Sequence, residues 1–202
     1  NTKLPMTKWL LAIFLFQADK GGISSCQLAR KLEITQKTAW YMLMKIRELV
    51  AKSNANNPKL SGEVEIDETF IGGKNKNRHK DKKVEKCQGR SYKDKVPVFG
   101  MLERGGKVVA KVVPNIHGDT LLSIVNEHVE KGSVVYTDGA GYPGINIDYE
   151  QRDVDHSKHF YGTTYVTDEG EIIVVSTNGI ENVWSHFDRM MLGTYIRVSR
   201  KH

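Results

Sequence analysis

EVEIDETFIGGK, Glu63 to Lys74, is the stretch on which the reading of this chain turns. Alternation from Val64 through Ile66 predicts a strand, Phe70 and Ile71 carry its apolar character past the acidic residues, and the double glycine ends it. Asp67 stands inside that pattern. An ionised carboxylate in a protein interior is costly unless it is paired or bound to a metal. The plainer reading is an exposed acid at a strand end, and only the rest of the chain separates the two.

Downstream, VPVFGMLE and KVVAKVVP are two β-rich runs separated by Arg104-Gly105-Gly106, the pattern of a hairpin. GDTLLSIVNEHVEKG then places Leu121, Leu122, Ile124, Val125 and Val129 at helical spacing, with Asp119 or Thr120 as the cap and Gly132 as the stop. SVVYTDGAGY follows as a buried strand through Val134, Val135 and Tyr136 that ends in Asp138 and a glycine-rich turn. Three strands, a helix and a further strand make a mixed α/β layer. Asp138 repeats the oddity of Asp67, and ligands of α/β sheets collect at strand ends. Asp-Gly alone is a common turn pair. Two such acids, 71 residues apart with a hairpin and a helix between them, fit a ribonuclease H-like sheet, in which the first strand and the strand after the first helix lie side by side.

Paired carboxylates call for a third ligand and a hard cation. Mg²⁺ prefers oxygen donors, and two such ions about 3.5–4 Å apart serve phosphoryl transfer. STNGIENVWSHFDRMM, Ser176 to Met191, supplies the third candidate: Thr177 or Asn178 caps a helix bearing Ile180, Val183, Trp184, Phe187 and Met191 on one side, and Glu181 follows the cap. A capping-box glutamate accounts for Glu181 equally well. Without metal, two neighbouring carboxylates repel, so one of them should titrate above its ordinary range or recruit a lysine.

The first 50 residues read as helices. Trp9 to Phe16 form one; GGISSC breaks it with Ser24 or Ser25 as a cap, and Leu28, Ala29 and Leu32 mark the second. Thr35 caps a third, with Ala39, Met42, Leu43, Ile46 and Val50 as its apolar stripe. Two short helices around a tight turn are the pattern of a helix-turn-helix, whose second helix would turn Gln36, Lys37, Thr38 and Tyr41 to a DNA major groove. Trp9, Trp40 and Trp184 are read as core. The domains expected are thus an all-α helix-turn-helix over 1–52, a polar Asn-rich linker over 53–62, and a ribonuclease H-like domain over 63–202.

Composition limits the alternatives. Two cysteines, Cys26 and Cys87, are too few for a disulfide framework and form no CxxC pair, and the longest apolar run, WLLAIFLF, is far shorter than the roughly 20 residues of a membrane span. A cytoplasmic location, at the nucleoid when DNA is bound, is expected. The net charge of +6 is concentrated: Lys74 to Lys95 holds ten Lys or Arg against three Asp or Glu. Lys74, Lys76, Arg78, Lys80, Lys82 and Lys83 are the candidates for gripping a phosphate backbone.

EIDETFIGGK, the basic insertion, VPVFGMLERGGKV, GSVVYTDGAGY, DHSKHF (155–160) and TNGIENVW together resemble the integrase-like domain of ISXO-type insertion-sequence transposases, which are related to the Merlin transposons. SSCQLARKLEITQKTAWYMLMKIR is similar to the helix-turn-helix that precedes it in that family. The resemblance implies a DDE-type transposase: Asp67 and Asp138 as the first two acids and metal ligands, Glu181 as the third with Asn178 as the alternative, two Mg²⁺ ions per site with Mn²⁺ as a substitute, double-stranded DNA (element ends and target) as partner, and at least a dimer on that DNA. It also marks departures. Relatives carry Lys seven residues after the Glu, where this chain has Asp188 beside Arg189; their N-terminal zinc ribbon is missing; and they continue past VSRKH, so a fragment trimmed at both ends is expected. Asp188 keeps a second reading open, a decayed or domesticated relative that binds DNA without cutting it.

Overall fold

The structure, a computed structural model, describes residues 3–55, 58–72, 79–85, 95–138, 142–154, 163–166, 170 and 172–195. The described chain divides into two compact units, Lys59–Trp184 and Asn1–Pro58 with Ser185–His202.

In the first of these, β1 (Glu63–Ile71), β2 (Val96–Glu103) and β3 (Val108–Val112) form an antiparallel meander. The β2–β3 turn falls on Arg104-Gly105-Gly106, where Gly105 takes φ 71°, a left-handed conformation that glycine adopts without steric cost. Helix α4 (Gly118–His128) then crosses to β4 (Val134–Thr137), which pairs parallel with β1, and β5 (Glu150–Asp153) adds a parallel edge. The order β3-β2-β1-β4-β5 is that of a ribonuclease H-like sheet. The polar sequence of β5, EQRD, suits an edge strand, and its lack of apolar alternation explains why the sequence reading passes over it. A separate antiparallel pair, β6 (Thr163–Val166) and β7 (Ile172–Val175), is likewise not expected from the sequence. Helix α5 (Asn178–Met190) follows β7.

The pleat of β1 sorts its side chains. Val64 and Ile66 enter the core that α4 covers with Leu121, Val125 and Val129, and each fully buried aliphatic chain there contributes roughly 1.5–3 kcal/mol. Glu65 and Asp67 point the other way, under the first turns of α5. Glu65 is 3% exposed and satisfied twice: Arg104 Nε donates to Oε1 and the Ile180 backbone N–H to Oε2, each at 2.9 Å. Arg104 also stacks on the Tyr136 ring, 3.7 Å from its centroid, and donates to the carbonyls of Val174 (3.0 Å) and Ser176 (2.8 Å). One ion pair thus ties β1 to the β7–α5 connection. The cap of α4 differs from the expected one. The Asn115 side-chain oxygen accepts from the His117 N–H (3.0 Å) and from the Thr120 hydroxyl (2.9 Å), holding the turn that starts the helix, while Asp119 makes no cap.

In the other unit, α1 (Met6–Ala18), α2 (Ser25–Leu32) and α3 (Gln36–Ala55) bury Ala12, Ile23, Leu28, Ala39, Met42 and Leu43 among themselves. Ser24 is the cap of α2, accepting from the Gln27 N–H at 3.1 Å, and Thr35 takes the Thr38 N–H at 3.3 Å at the head of α3. Glu33 turns the chain between them in a left-handed conformation, φ 52°. Three outcomes differ from the sequence reading. Helix α3 runs through Ala55, into the segment 53–62 read as linker. Ser185–His202 group with the N-terminal helices, where the Thr194 hydroxyl donates to the Gly22 carbonyl at 3.2 Å. Trp40, read as core, is 51% exposed, because it sits beside the apolar stripe of α3 rather than within it. Trp9 does pack against the core.

Candidate active site

Asp67 lies in the middle of β1 rather than at its end. The strand stays paired with β2 through Ile71, whereas its pairing with β4 stops at Glu65 opposite Tyr136. Continuing that register sets Asp67 level with Asp138, the first residue after the described β4. The end that matters is therefore the end of β4, which leaves one edge of β1 open beside Asp67. One carboxylate oxygen each from Asp67, Glu68 and Asp138 lie within 4.8 Å of one another. Sequence reasoning pairs Asp67 with Asp138 and gives Glu68 no role.

Both Asp67 oxygens are oriented. Oδ1 accepts the Glu68 N–H at 2.8 Å and Oδ2 accepts the Trp184 indole N–H at 3.0 Å. Trp184 reaches it because the residue opposite Asp67 on β2 is Gly100; a Cβ there would lie 2.6 Å from Trp184 Cη2 and 3.0 Å from Ile180 Cδ1. The Asp67 carboxyl is pushed up to about 7, chiefly by burial and then by the negative charges of Asp138 and Glu68; the N–H donors of Glu68 and Trp184 pull the other way. Burial is thus the main cause, and the repulsion expected between neighbouring carboxylates adds to it.

Glu181 and Asn178 occupy the exposed start of α5 and do not belong to the group formed by the two aspartates and Glu68. Thr177 begins this helix: its carbonyl accepts from the Glu181 N–H at 3.1 Å and its hydroxyl donates to Glu181 Oε1 at 3.3 Å. The residue used as the cap is thus Thr177, and Asn178 is the first helical residue. Glu181 is three positions before Trp184, so the two neighbour each other on the helix surface.

Tyr142, in the core that α4 covers, closes the group on that side. It is 4% exposed, its ring packs 6.3 Å from that of Phe99, and no described group accepts its hydroxyl hydrogen in good geometry. Burial, then Glu68, Asp138 and Asp67, push its phenol well above the ordinary tyrosine range.

Among the residues read as DNA-facing, Gln36, Lys37 and Tyr41 are exposed on α3 and Thr38 is half-buried; the Gln36 amide donates to the Ser25 hydroxyl at 2.8 Å. Lys80 and Lys82 lie on a single exposed 3₁₀ turn, with Lys83 next to it. Lys74, Lys76 and Arg78 lie outside the described residues, as do 155–160. No helix among the described residues is long and apolar enough to cross a membrane.

The sequence is similar to those of known proteins. An uncharacterised transposase-like protein of Haemophilus influenzae is 36% identical over 86 residues, 41% of this chain and 61% of that protein. An uncharacterised protein in the transposable element ISH50 of Halobacterium salinarum is 26% identical over 149 residues, 69% of this chain and 48% of its own length. The chain thus spans about half to three fifths of these relatives. Among solved structures, the Mos1 strand transfer complex is similar at 13% identity over 75% of this chain and 59% of that one, but its TM-score of 0.29 is too low to bear on the reading. The model of the ISXO2-like transposase domain matches residues 59–202, more than half of the sequence, and the chain belongs to that family.

Proposed function

We propose that this chain carries the catalytic core of an insertion-sequence transposase of the DDE type, which hydrolyses a phosphodiester at the element end and joins the freed 3′ hydroxyl to target DNA. The observation that carries this is the meeting of Asp67 and Asp138 from two parallel strands at the open edge of β1, within 4.8 Å, in a chain of this family. The donor set fits a divalent cation. All three ligand atoms are hard carboxylate oxygens, and burial together with the charges of Asp138 and Glu68 already drives Asp67 towards protonation. Asp67 and Asp138 would hold Mg²⁺, or Mn²⁺ in its place, in a two-ion site; such ions supply the electrostatic stabilisation and nucleophile activation of phosphoryl transfer.

Glu181 is the third acid in this reading. It neighbours Trp184, whose indole already touches Asp67, whereas Asn178 lies six positions from Trp184 and on another side of the helix. Double-stranded DNA is the partner, with Gln36, Lys37, Thr38 and Tyr41 reading element ends, the basic segment following the backbone, and a dimer or larger assembly holding two ends in the cytoplasm.

A Mg²⁺-dependent strand-transfer assay on DNA carrying the element ends tests the proposal. Asp67→Asn and Asp138→Asn should each keep the parent's circular dichroism and DNA binding and lose joined product by several orders of magnitude. DNA binding by the parent with no cutting in Mg²⁺ or Mn²⁺ favours the inactive relative, for which Asp188 in place of Lys speaks.

A further inference from the structure

Asp67 and Glu68 are consecutive in a strand, so their side chains leave opposite faces of the sheet. Asp67 lies under Trp184, and Glu68 lies on the α4 side, where its partner in the β1–β2 register is Phe99 and Phe99 packs on Tyr142. In a strand flanked on both edges the two carboxylates could not share a ligand. Here the pairing with β4 stops at Glu65, two residues before Asp67, and both carboxylates reach past that edge of β1 to meet Asp138.

A cluster of acids is in itself only a repulsive arrangement. Tyr142 turns it into a site with a direction. The hydroxyl of this residue, 4% exposed, has no partner in good geometry among the described groups, and Glu68 is the side chain that interacts with it. Its ring packs on Phe99, the register partner of Glu68, which places it beside the cluster on the α4 side, and the charges of Glu68, Asp138 and Asp67 all act on its phenol. A cation with its waters settles both accounts: it balances the carboxylates, and with Glu68 drawn to the ion the phenol gains an oriented carboxylate or water oxygen as acceptor.

We infer that Glu68 is a direct ligand of the first divalent ion to bind, together with Asp67 and Asp138, and that Tyr142 is the positioning residue that aims the Glu68 carboxylate from behind. This ion is then held entirely by the central sheet and loads without Glu181, which becomes a ligand of the second ion only. The inference rests on the metal-dependent reading given above and adds to it an order of loading and a ligand outside the three acids.

Binding of Mn²⁺ to the full chain, followed by the electron paramagnetic resonance signal of the free ion, tests it without reference to activity. Glu68→Gln should weaken the first Mn²⁺ by about tenfold or more, the range found when a metal site loses an oriented ligand or its support. Tyr142→Phe should weaken it by a smaller factor, about threefold to tenfold, with unchanged circular dichroism. Glu181→Gln should leave it as in the parent. Should Glu68→Gln fail to fold, Glu68→Asp keeps the charge, withdraws it by one methylene, and should show a similar direction of loss. Parent-like Mn²⁺ binding by Glu68→Gln, with Asp138→Asn impaired, overturns the role of Glu68 and leaves the transposase reading standing. Loss of the first ion in Glu181→Gln overturns the order of loading. No effect of Asp67→Asn or Asp138→Asn either would remove the metal site altogether, and both readings with it.

Discussion

Asp67 is the residue at which folding and chemistry conflict. Its carboxyl is pushed up to about 7 by burial and by two neighbouring acids, so in the folded metal-free protein it holds a proton more tightly than in the unfolded chain. A raised carboxyl contributes stability that is fully present below its unfolded pKa, near 4, and is lost as pH rises through about 7. The effect is on the order of a few kcal/mol, at ~1.4 kcal/mol per unit. Asp67→Asn, which cannot ionise, should therefore melt close to the parent at pH 3.5 and progressively further above it up to pH 8, both in chelator, as read by scanning calorimetry. A variant that melts below the parent at pH 8 would mean that Asp67 is a structural acid. Gly100 makes a second residue-scale statement. A methyl at this position would overlap the Trp184 ring, so Gly100→Ala should cost about 1–3 kcal/mol as overpacking. It should also move the Trp184 indole N–H resonance as that group withdraws from Asp67. An unchanged resonance would show that the indole is held by something other than the room over Gly100.

At the scale of elements, the placement of α5 depends on one buried carboxylate. Glu65 accepts from Arg104 and from the Ile180 N–H, and Arg104 in turn holds two carbonyls of the segment entering α5. The negative charge at the helix N-terminus is favourable in itself. Removing it leaves the buried Ile180 N–H without its acceptor, while Arg104 keeps Glu63 at 3.5 Å and the two carbonyls, so the cost is about 1–3 kcal/mol. Glu65→Ala should lower the urea midpoint accordingly, and because α5 carries Trp184 it should disturb the indole contact to Asp67 although Glu65 itself touches none of the acids in the cluster. Glu65→Ala with parent stability would show that the apolar packing of Ile180 positions the helix alone.

At the scale of the whole molecule the charge is divided by task. A cationic segment attracts any nucleic acid through counterion release, whereas discrimination needs contacts to base edges. Charge reversal at Lys80, Lys82 and Lys83 should weaken random and element-end DNA alike and reduce the slope of log affinity against log salt by roughly one for each phosphate that is no longer neutralised. Gln36→Ala should instead reduce the ratio of specific to random binding, each good base contact being worth about 1–3 kcal/mol. Fluorescence anisotropy at several salt concentrations separates the two, and an equal loss on both DNAs for Gln36→Ala would count against α3 as the reading helix.

The sequence alone determined what depends on near neighbours: the alternation of Val64 and Ile66, the hairpin at Arg104-Gly105-Gly106, the periodicity of α4 and of the N-terminal helices, and, from their order, the sheet that sets Asp67 beside Asp138. Strands without apolar alternation, such as β5, were illegible for the same reason. What only the tertiary structure decided is which side chains meet across long separations. That Glu68 joins the aspartates follows from β4 ending before β1 does, a property of register between strands. That Trp184 reaches Asp67 needs Gly100 beneath it, on a third element. That Tyr142 backs the acids needs its ring to pack beside Phe99 in the core that α4 covers. No local spacing encodes these contacts, because each is set by where independently packed elements stop along one another, and that is fixed by the close packing of the core as a whole.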